Sequence, residues 1–318
     1  MAPRIWFFHY LAKAVCALFF RLVQRQGFEA KLHNDYSGRP RLYALNHTNS
    51  FLDPVLFAVQ RRQPLYFLAR GDVLFGFAKG ILPHIFPLLP VWRRREGQAH
   101  LKANYSTFER CFEVWKEDGS VVIFSEGLCE NRVGLKPLLK GTARLVWQSY
   151  ERGLDLDVLP VGVCFEHFNG TGKAARVCLG LPLEWRHLAE CASSPAHFYQ
   201  LFNAALARAM AACMVDPEET GSAAIFWSSL PPRRRWRQRV RLFSRMLHFP
   251  IALPCRMMAS WLTRGTVHFD AVYFVTLMLA YPFALLLGLV LGVGFFPEYA
   301  LLICLCVVLL PVIAWLGR

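Results

Sequence analysis

Two long uncharged stretches near the C-terminus constrain this chain more than any other feature of its sequence. Ala271–Phe296 contains no charged residue, and Tyr299–Leu316 contains none either. A helix needs about 20 predominantly apolar residues, and at least roughly 17, to cross the hydrocarbon core of a bilayer. Only Pro297 and Glu298 separate the two stretches, which leaves room for no more than a tight turn. We therefore predict a two-helix transmembrane hairpin within residues 267–318, with a buried helical pair of a soluble protein as the alternative.

The charges around these stretches indicate how the hairpin is oriented. Arg245, Arg256 and Arg264 precede it and Arg318 follows it, whereas its turn carries only the negative Glu298. Because Lys and Arg concentrate in the short cytoplasmic segments of membrane proteins, both ends of the hairpin are predicted to be cytoplasmic. The expected location is therefore the membrane, with the rest of the protein on its cytoplasmic face.

Composition agrees with a membrane-associated protein, because the chain is both apolar and basic. Hydrophobic residues make up 55% of it and charged residues 18%, yet Lys and Arg outnumber Asp and Glu by 36 to 22. This combination excludes a disordered chain, which needs low hydrophobicity. Seven arginines lie between Arg233 and Arg245, just after the diproline at 231–232. For this basic juxtamembrane segment, residues 231–266, we predict binding to the anionic headgroups of a lipid bilayer. Nucleic-acid binding and a solvated charged face are the alternatives.

A third apolar segment lies at the N-terminus, within residues 1–30. Ile5–Val23 is rich in Trp, Phe, Leu and Ala but is interrupted by Lys13, and no small-residue cleavage site closes it. We predict an interfacial or partly inserted membrane helix. A full span and an ordinary helix that covers the core of the next domain are the alternatives.

Short apolar runs alternate with longer periodic stretches in the middle of the chain, residues 31–230. The runs typical of strands are Arg41–Leu45, Leu65–Ala69, Leu88–Trp92, Val121–Phe124, Val158–Phe165 and Ala175–Leu179. The stretches typical of helices are Pro54–Arg62, Gln98–Lys116, Gly141–Arg152 and Ala196–Met214. This alternation predicts an α/β domain with a mostly parallel sheet flanked by helices. Ligands bind beyond the carboxyl ends of the strands in such sheets, so the chemically active residues are expected there.

The segment after the first predicted strand contains a histidine and an aspartate that are candidates for acid–base chemistry. A histidine can take a proton from a hydroxyl near neutral pH, and a carboxylate on its other ring nitrogen would fix the tautomer and stabilise the imidazolium. His47 and Asp53 can meet only if His47 lies in the turn after the strand and Asp53 opens the next helix, because six residues along one helix would put them on different faces. Pro54 supports that placement, and it equally supports the alternative that Asp53 is only a helix cap.

Two further strand ends carry residues suited to a ligand. Arg93, followed by Arg94 and Arg95, comes after an apolar run, and its planar guanidinium is suited to a phosphate. Glu126 stands between a predicted buried strand and Gly127, where a turn of the backbone would open towards a ligand. The alternatives are a solvated charge run for the arginines and, for Glu126, a buried structural ion pair with an arginine.

Four motifs in this order resemble those of the glycerolipid acyltransferase family, which includes glycerol-3-phosphate and 1-acylglycerol-3-phosphate acyltransferases. The motifs are, in chain order, Asn46-His47 with Asp53; Leu89-Pro90-Val91-Trp92-Arg93; Phe124-Ser125-Glu126-Gly127; and Val158-Leu159-Pro160-Val161-Gly162-Val163. The segment Leu135–Ala143 is similar to the Lys-Gly segment that follows the third motif in that family. The resemblance extends from about Leu42 to Leu183.

The resemblance implies an enzyme that moves a fatty acyl group from acyl-CoA or acyl-carrier protein to a hydroxyl, with no covalent acyl-enzyme and no metal or organic cofactor. In the pattern of this family, His47 is the general base and Asp53 orients it. The residues implied at the substrate are Arg93, Ser125, Glu126 and Gly127 for the glycerol phosphate moiety, Asn46 and Asn49 for orientation within the first motif, and Lys136 and Lys140 for additional positive potential.

The spacing within the first motif departs from the commonest pattern of the family. Five residues separate His47 from Asp53 instead of four, as in some branches that include glycerol-3-phosphate acyltransferases, so the turn must accommodate one more residue. We predict a lysophospholipid acceptor, 1-acylglycerol 3-phosphate, and phosphatidic acid as the product, in phospholipid biosynthesis. Acylation of glycerol 3-phosphate or of a lyso-aminolipid is the nearest alternative. A non-catalytic membrane scaffold with the same fold is an alternative of a different class. A membrane-tethered nucleic-acid binder is another, although we expect no nucleic-acid partner.

Overall fold

A six-stranded sheet forms the centre of the fold, in a computed structural model that describes residues 10–17, 38–61, 63–71, 87–92, 98–170, 173–214 and 235–316. Its strands are β1 (Arg41–Leu45), β2 (Leu65–Arg70), β3 (Leu88–Val91), β4 (Ser120–Phe124), β5 (Asp157–Phe165) and β6 (Ala175–Leu179). They lie in the order β3-β2-β4-β1-β5-β6. The pairs from β3 through β5 are parallel, and β6 runs antiparallel to β5. The predicted α/β fold with a mostly parallel sheet flanked by helices is therefore confirmed.

Besides the helical residues 10–17, eight α-helices accompany the sheet in the described part of the chain. They are α1 (Leu52–Ala58), α2 (Gln98–Lys116), α3 (Lys140–Glu151), α4 (Trp185–Glu190), α5 (Pro195–Cys213), α6 (Arg235–Leu262), α7 (Phe269–Phe295) and α8 (Ala300–Leu316). A single 3₁₀ turn, Pro297–Tyr299, joins α7 to α8. Outside α1, the predicted strand and helix bounds within residues 31–230 agree with the structure to within one residue.

Both faces of the sheet are buried, because successive side chains of a strand point to opposite sides. Tyr43 and Leu45 of β1 belong to one apolar core, which α1 and the start of α7 cover. Leu42 and Ala44 belong to a second core, which is covered by α2, α3, α4 and α5. Burial on both sides leaves the carboxyl ends of the strands as the place where polar side chains can meet a ligand.

Helix α1 begins earlier than its sequence pattern predicts. Its N-cap residue is Phe51, and the backbone N–H of Leu52 already donates to the Asn49 carbonyl at 2.9 Å. Asp53 therefore lies inside the first turn and makes no capping hydrogen bond. The alternative that Asp53 is only a helix cap is wrong, and its carboxylate is available for other partners.

Residues 10–17 are helical and lie within the predicted N-terminal segment. Cys16 is buried in the same apolar core as β1, and the Lys13 ammonium donates to the Arg61 carbonyl. Tyr10 and Leu11 are about half exposed, so this helix has one side against the domain and an apolar side facing outward. The rest of the predicted membrane-associated segment, residues 1–30, lies outside the described residues.

The C-terminal part of the described chain is helical throughout the predicted membrane region. Helix α7 is long and apolar enough to cross a membrane, and α8 is shorter at 17 residues. One apolar helix of this length indicates membrane association, whereas the transmembrane hairpin and its orientation stay predictions. In the basic segment, residues 231–234 lie outside the described residues, Arg235–Leu262 form α6, which contains Pro250 and Pro254, and residues 263–266 form a turn.

The first turns of α7 pack into the apolar core under β1. Phe274 is 1% exposed in this core, and Tyr281 packs against its edge. Asp270 is also buried. The division into residues 1–30, 31–230, 231–266 and 267–318 stays a prediction, and these contacts cross its last boundary.

Candidate active site

The candidate site lies where β1 and β4 end side by side. The two strands are parallel, and Leu45 is paired with Phe124, so the segments that follow them leave the sheet at the same edge. His47 comes two residues after β1, and its ring stacks on that of Phe124 with the centroids 4.1 Å apart. Parallel pairing thus brings the first and third sequence motifs together, as ligand binding at strand ends requires.

His47 and Asp53 form a hydrogen-bonded pair. The distance from His47 Nδ1 to Asp53 Oδ2 is 2.8 Å, the imidazole is 20% exposed and the carboxylate is fully buried. Because an ionised carboxylate only accepts hydrogen bonds, the proton of the neutral imidazole lies on Nδ1. This tautomer leaves the lone pair on Nε2, which is the arrangement that a general base needs.

Backbone amides hold the Asp53 carboxylate in place. The N–H groups of Thr48 and Asn49 both donate to Asp53 Oδ2 at 2.8 Å. Hydrogen bonds to an ionised carboxylate favour its charged form and are stronger than those between neutral groups. The loop that carries His47 is therefore fixed to the aspartate that orients the imidazole.

The turn between His47 and Asp53 accommodates its five residues with one left-handed residue. Ser50 has a φ of +45°, and its N–H donates to Cys129 Sγ at 2.9 Å. Burial, followed by the negative charge of Asp53, raises the pKa of the Cys129 thiol to about 12. This thiol stays protonated near neutral pH and is no nucleophile.

Glu126 is buried and points both oxygens at protein donors. Oε2 accepts from the His47 N–H at 2.7 Å, and Oε1 accepts from the Lys136 N–H at 2.8 Å. The Lys136 ammonium lies 3.4 Å from Oε2 and donates to the Leu128 carbonyl at 2.6 Å and to the His47 carbonyl at 3.2 Å. Glu126 and Lys136 thus fix the backbone on both sides of His47. The contact of either with substrate stays a prediction.

Asn46 and Ser125 are also buried and bonded within the protein. The Asn46 side chain donates to the Val163 carbonyl at 2.9 Å and accepts from the Val163 N–H at 2.7 Å, which fastens the first motif to β5. The Ser125 hydroxyl accepts from the Thr142 hydroxyl at 3.0 Å. Both residues shape the site from behind, and their predicted contacts with substrate stay predictions.

The two remaining predicted cations differ in what the structure describes. Lys140 is exposed and is the first residue of α3. Arg93 lies outside the described residues, two positions after the end of β3 at Val91. The role of each at the acceptor phosphate stays a prediction.

Gly127 turns the chain directly after Glu126. Its φ is +67°, and a Cβ at this position would lie 2.2 Å from Leu139 Cδ1 and 3.2 Å from Leu139 Cγ. We expect Gly127→Ala to lower the free energy of unfolding by about 1–3 kcal/mol, because a non-glycine residue is strained in this region. Thermal unfolding of the full-length protein in detergent measures the effect.

Gly141 supplies the control for this substitution. It lies in α3 with open space around its Cα, so Gly141→Ala is expected to be neutral or stabilising. Equal melting temperatures for the Gly127→Ala protein and the unaltered protein would contradict the assignment of a strained turn.

Sequence reasoning missed a buried ionic cluster behind Asn49. The Asp270 carboxylate, at the start of α7, forms an ion pair with Lys173 and accepts from Asn49 Nδ2 at 2.9 Å. The N–H groups of Asn169 and Gly170 donate to it at 3.1 Å and 2.7 Å. Asn49 therefore joins two carboxylates, since its backbone N–H binds Asp53 and its side chain binds Asp270.

Lys173 is the positive centre of this cluster and is fully buried. Burial lowers the pKa of its ammonium, while the carboxylates of Asp270 and then Asp53 act in the opposite direction. No local signal marks this cluster, because Lys173 and Asp270 are 97 positions apart.

His268 is a second residue that the C-terminal segment brings to the site. Its Nδ1 and the Ser50 hydroxyl share a hydrogen bond of 2.6 Å. Burial lowers the pKa of His268, and the positive charge of Arg70 lowers it further. Arg70 is the last residue of β2, so the site has a cation at this strand end that the sequence motifs did not indicate.

The geometry defines the class of site: a histidine oriented by a buried carboxylate, at the carboxyl edge of a parallel sheet, equipped to deprotonate a hydroxyl. A family model described as Acyltransferase matches residues 28–164, the span that contains His47, Asp53, Glu126 and Lys140. The chain therefore contains an acyltransferase domain, which supports the glycerolipid acyltransferase family, and the protein is an O-acyltransferase.

Two further comparisons were made, with solved structures and with curated proteins. Among solved structures, the chain is similar to the 1-acyl-sn-glycerophosphate (LPA) acyltransferase PlsC from Thermotoga maritima. The sequences are 15% identical, the match covers 66% of this chain and 82% of that one, and the TM-score is 0.44. No curated protein matches the sequence.

Proposed function

We propose that the protein transfers a fatty acyl group from acyl-CoA or acyl-carrier protein to the free hydroxyl of 1-acylglycerol 3-phosphate, giving phosphatidic acid. The observation that carries this proposal is the 2.8 Å hydrogen bond between His47 Nδ1 and the buried Asp53 carboxylate. It leaves Nε2 of a partly exposed imidazole as the proton acceptor, within the family domain.

In the proposed reaction, His47 Nε2 takes the proton of the acceptor hydroxyl as its oxygen attacks the carbonyl carbon of the thioester. The tetrahedral intermediate collapses, the carbon–sulfur bond breaks, and the proton passes from the imidazolium to the leaving thiolate. Asp53 stabilises the imidazolium while it exists. A thioester is already activated towards an oxygen nucleophile, so we propose a reaction without a metal or organic cofactor and without a covalent acyl-enzyme.

The acceptor phosphate calls for positive charge near the strand ends. Arg70 ends β2 in electrostatic range of His268, and Lys140 is exposed at the start of α3. Arg93 follows β3, the neighbour of β2 in the sheet. We propose Arg93 as the main phosphate ligand, because a planar guanidinium binds phosphate through two parallel hydrogen bonds.

The experiment that tests the substrate is an acceptor screen with purified full-length protein and radiolabelled acyl donor. We expect preference for 1-acylglycerol 3-phosphate over the same lipid without its phosphate, and loss of that preference in Arg93→Ala. Lys116→Ala removes an exposed cation at the end of α2 and serves as the control. Acylation of glycerol 3-phosphate alone, or equal use of a lyso-aminolipid, would replace the proposed acceptor.

We also propose that the protein works at a lipid bilayer, with its catalytic domain on the cytoplasmic face. The apolar helix α7 supports membrane attachment, and α6 supports contact with the bilayer surface. Large apolar side chains of α6 are exposed: Leu242, Phe243, Met246, Leu247, Phe249, Leu253, Met257, Met258, Trp261 and Leu262. Arginines share this helix, which is the composition of helices that lie in the interface of membranes with anionic headgroups.

A further inference from the structure

A polar cavity lies where α6 ends and α7 begins, outside the motifs of the active site. Its volume is about 400 Å³, and its walls include Arg256, Ser260, Arg264, Phe269 and Asn169. Arg256 and Arg264 are both exposed. The cavity therefore offers two guanidinium groups to solvent at one place in the fold.

The two arginines are not neutralised by the protein around them. In the described part of the chain, neither forms an ion pair or a side-chain hydrogen bond. The carboxylate nearest in sequence, Asp270, is buried and already bonded to Lys173. Two unpaired guanidinium groups around one cavity favour an anion, and their planar donor sets fit phosphate oxygens in particular.

Two of the three hydroxyl groups that line the cavity already donate hydrogen bonds within the protein. The Thr263 hydroxyl donates to the Ala259 carbonyl at 2.6 Å, and the Thr266 hydroxyl donates to the Thr263 carbonyl at 3.0 Å. Ser260 is exposed on the wall between the arginines, and no such bond occupies its hydroxyl in the described residues. A phosphate in the cavity would thus meet two guanidinium groups and one hydroxyl.

The position of the cavity identifies the source of the phosphate. Phe269 lines it and is the first residue of the apolar helix α7, and Met257 and Trp261, which follow Arg256 and Ser260 in the sequence, are 64% and 67% exposed. Exposed Met and Trp side chains next to basic ones are typical of a surface that contacts the headgroup layer of a bilayer, where the phosphates of phospholipids lie. A lipid bound here satisfies both the arginines and their apolar neighbours.

The cavity also borders the buried cluster that holds the catalytic loop. Asn169 lines the cavity, and its backbone N–H donates to Asp270, which in turn binds the Asn49 side chain. A ligand that orders the cavity wall therefore stabilises the segment that fixes Asp270.

We propose that this cavity binds the phosphate of an anionic membrane phospholipid, as a binding site separate from the acyl acceptor. The proposal rests on the membrane arrangement given under the proposed function. It specifies one headgroup position, in contrast to the diffuse attraction that a basic segment exerts on any anionic surface.

The test is a lipid titration of the full-length protein in neutral detergent micelles, with the melting temperature as the readout. Phosphatidylglycerol is the probe, and phosphatidylcholine and inorganic phosphate are the comparisons. We expect phosphatidylglycerol to raise the melting temperature in a saturable way, and the other two to have little effect at equal concentration. In R256Q/R264Q we expect half-saturation at about ten-fold higher lipid or more.

The matched comparison is R239Q/R245Q, which removes two exposed arginines of α6 outside the cavity, so that it weakens the diffuse attraction of the basic segment but leaves the cavity intact. We expect it to keep the saturable response. R256K/R264K keeps the positive charge but loses the planar guanidinium donors, so we expect it to weaken lipid binding less than R256Q/R264Q does. This graded loss distinguishes weaker binding from misfolding of R256Q/R264Q.

Three results would overturn the proposal. An equal response in R256Q/R264Q and the unaltered protein would remove the site, and an equal loss in R239Q/R245Q would reduce it to diffuse attraction. An equal effect of inorganic phosphate would identify a free anion instead of a lipid. Because the readout needs no turnover, a His47→Ala protein keeps the lipid response whether or not the proposed acceptor is correct.

Discussion

Replacement of His47 by alanine is expected to lower the kcat of acyl transfer by about 10²- to 10⁴-fold, the usual contribution of a positioned general base. The imidazole is 20% exposed and its Nδ1 is held by a fully buried carboxylate, so Nε2 is the basic nitrogen that the substitution removes. Single-turnover transfer from radiolabelled acyl donor measures the effect. Binding of the variant to vesicles is expected to be unchanged.

The control for this variant is His187→Ala, which removes an exposed histidine from α4. It is expected to leave transfer and melting temperature unaltered. Transfer at the original rate in His47→Ala would remove the mechanism. Absence of transfer in the unaltered protein with every acceptor would instead favour a membrane scaffold with the same fold.

Asp270→Asn is expected to lower the free energy of unfolding by about 3–5 kcal/mol, because it leaves the fully buried Lys173 without its partner. We also expect a lower kcat with little change in KM. The Asn49 side chain loses its charged acceptor, and Asn49 is the residue whose backbone N–H binds Asp53. Denaturant unfolding in detergent and steady-state kinetics measure the two effects.

Two further variants separate the positioning role from a purely structural one. Glu298→Gln removes a negative charge at the other end of α7 and is expected to change neither the free energy of unfolding nor kcat. Combining Asp270→Asn with Lys173→Met removes the uncompensated buried charge, so we expect part of the stability to return. Recovery of kcat in step with stability would contradict a positioning role for Asp270.

The His47–Asp53 hydrogen bond was predictable because its members are neighbours in the chain. His47 and Asp53 are six positions apart, and one turn between a strand and a helix brings them together. The ionic cluster was not, because Asn49 and Asp270 are 221 positions apart and meet only through the packing of α7 on the domain. Strand periodicity marks the buried runs, but it carries no information on which distant helix covers them.

Glu126 shows a different limit of sequence reasoning. Its place after a buried strand and before a glycine correctly puts it at the sheet edge beside His47. The direction of its carboxylate depends on the turn at Gly127 and on the return of the chain to Lys136. The alternative interpretation of Glu126 as half of a buried ion pair describes its contacts, although the partner is a lysine and not an arginine.

The burial of the first turns of α7 has a kinetic consequence for an enzyme of this kind. The first exposed side chain of the helix is Leu279, and about 17 residues from there to Phe295 span ~26 Å, slightly less than the ~30 Å hydrocarbon layer. In the proposed arrangement there is no slack linker, so the domain rests directly on the headgroups and His47 works at a fixed height. The acceptor then arrives by diffusion in two dimensions, and the reaction rate follows its mole fraction in the lipid rather than its concentration in water.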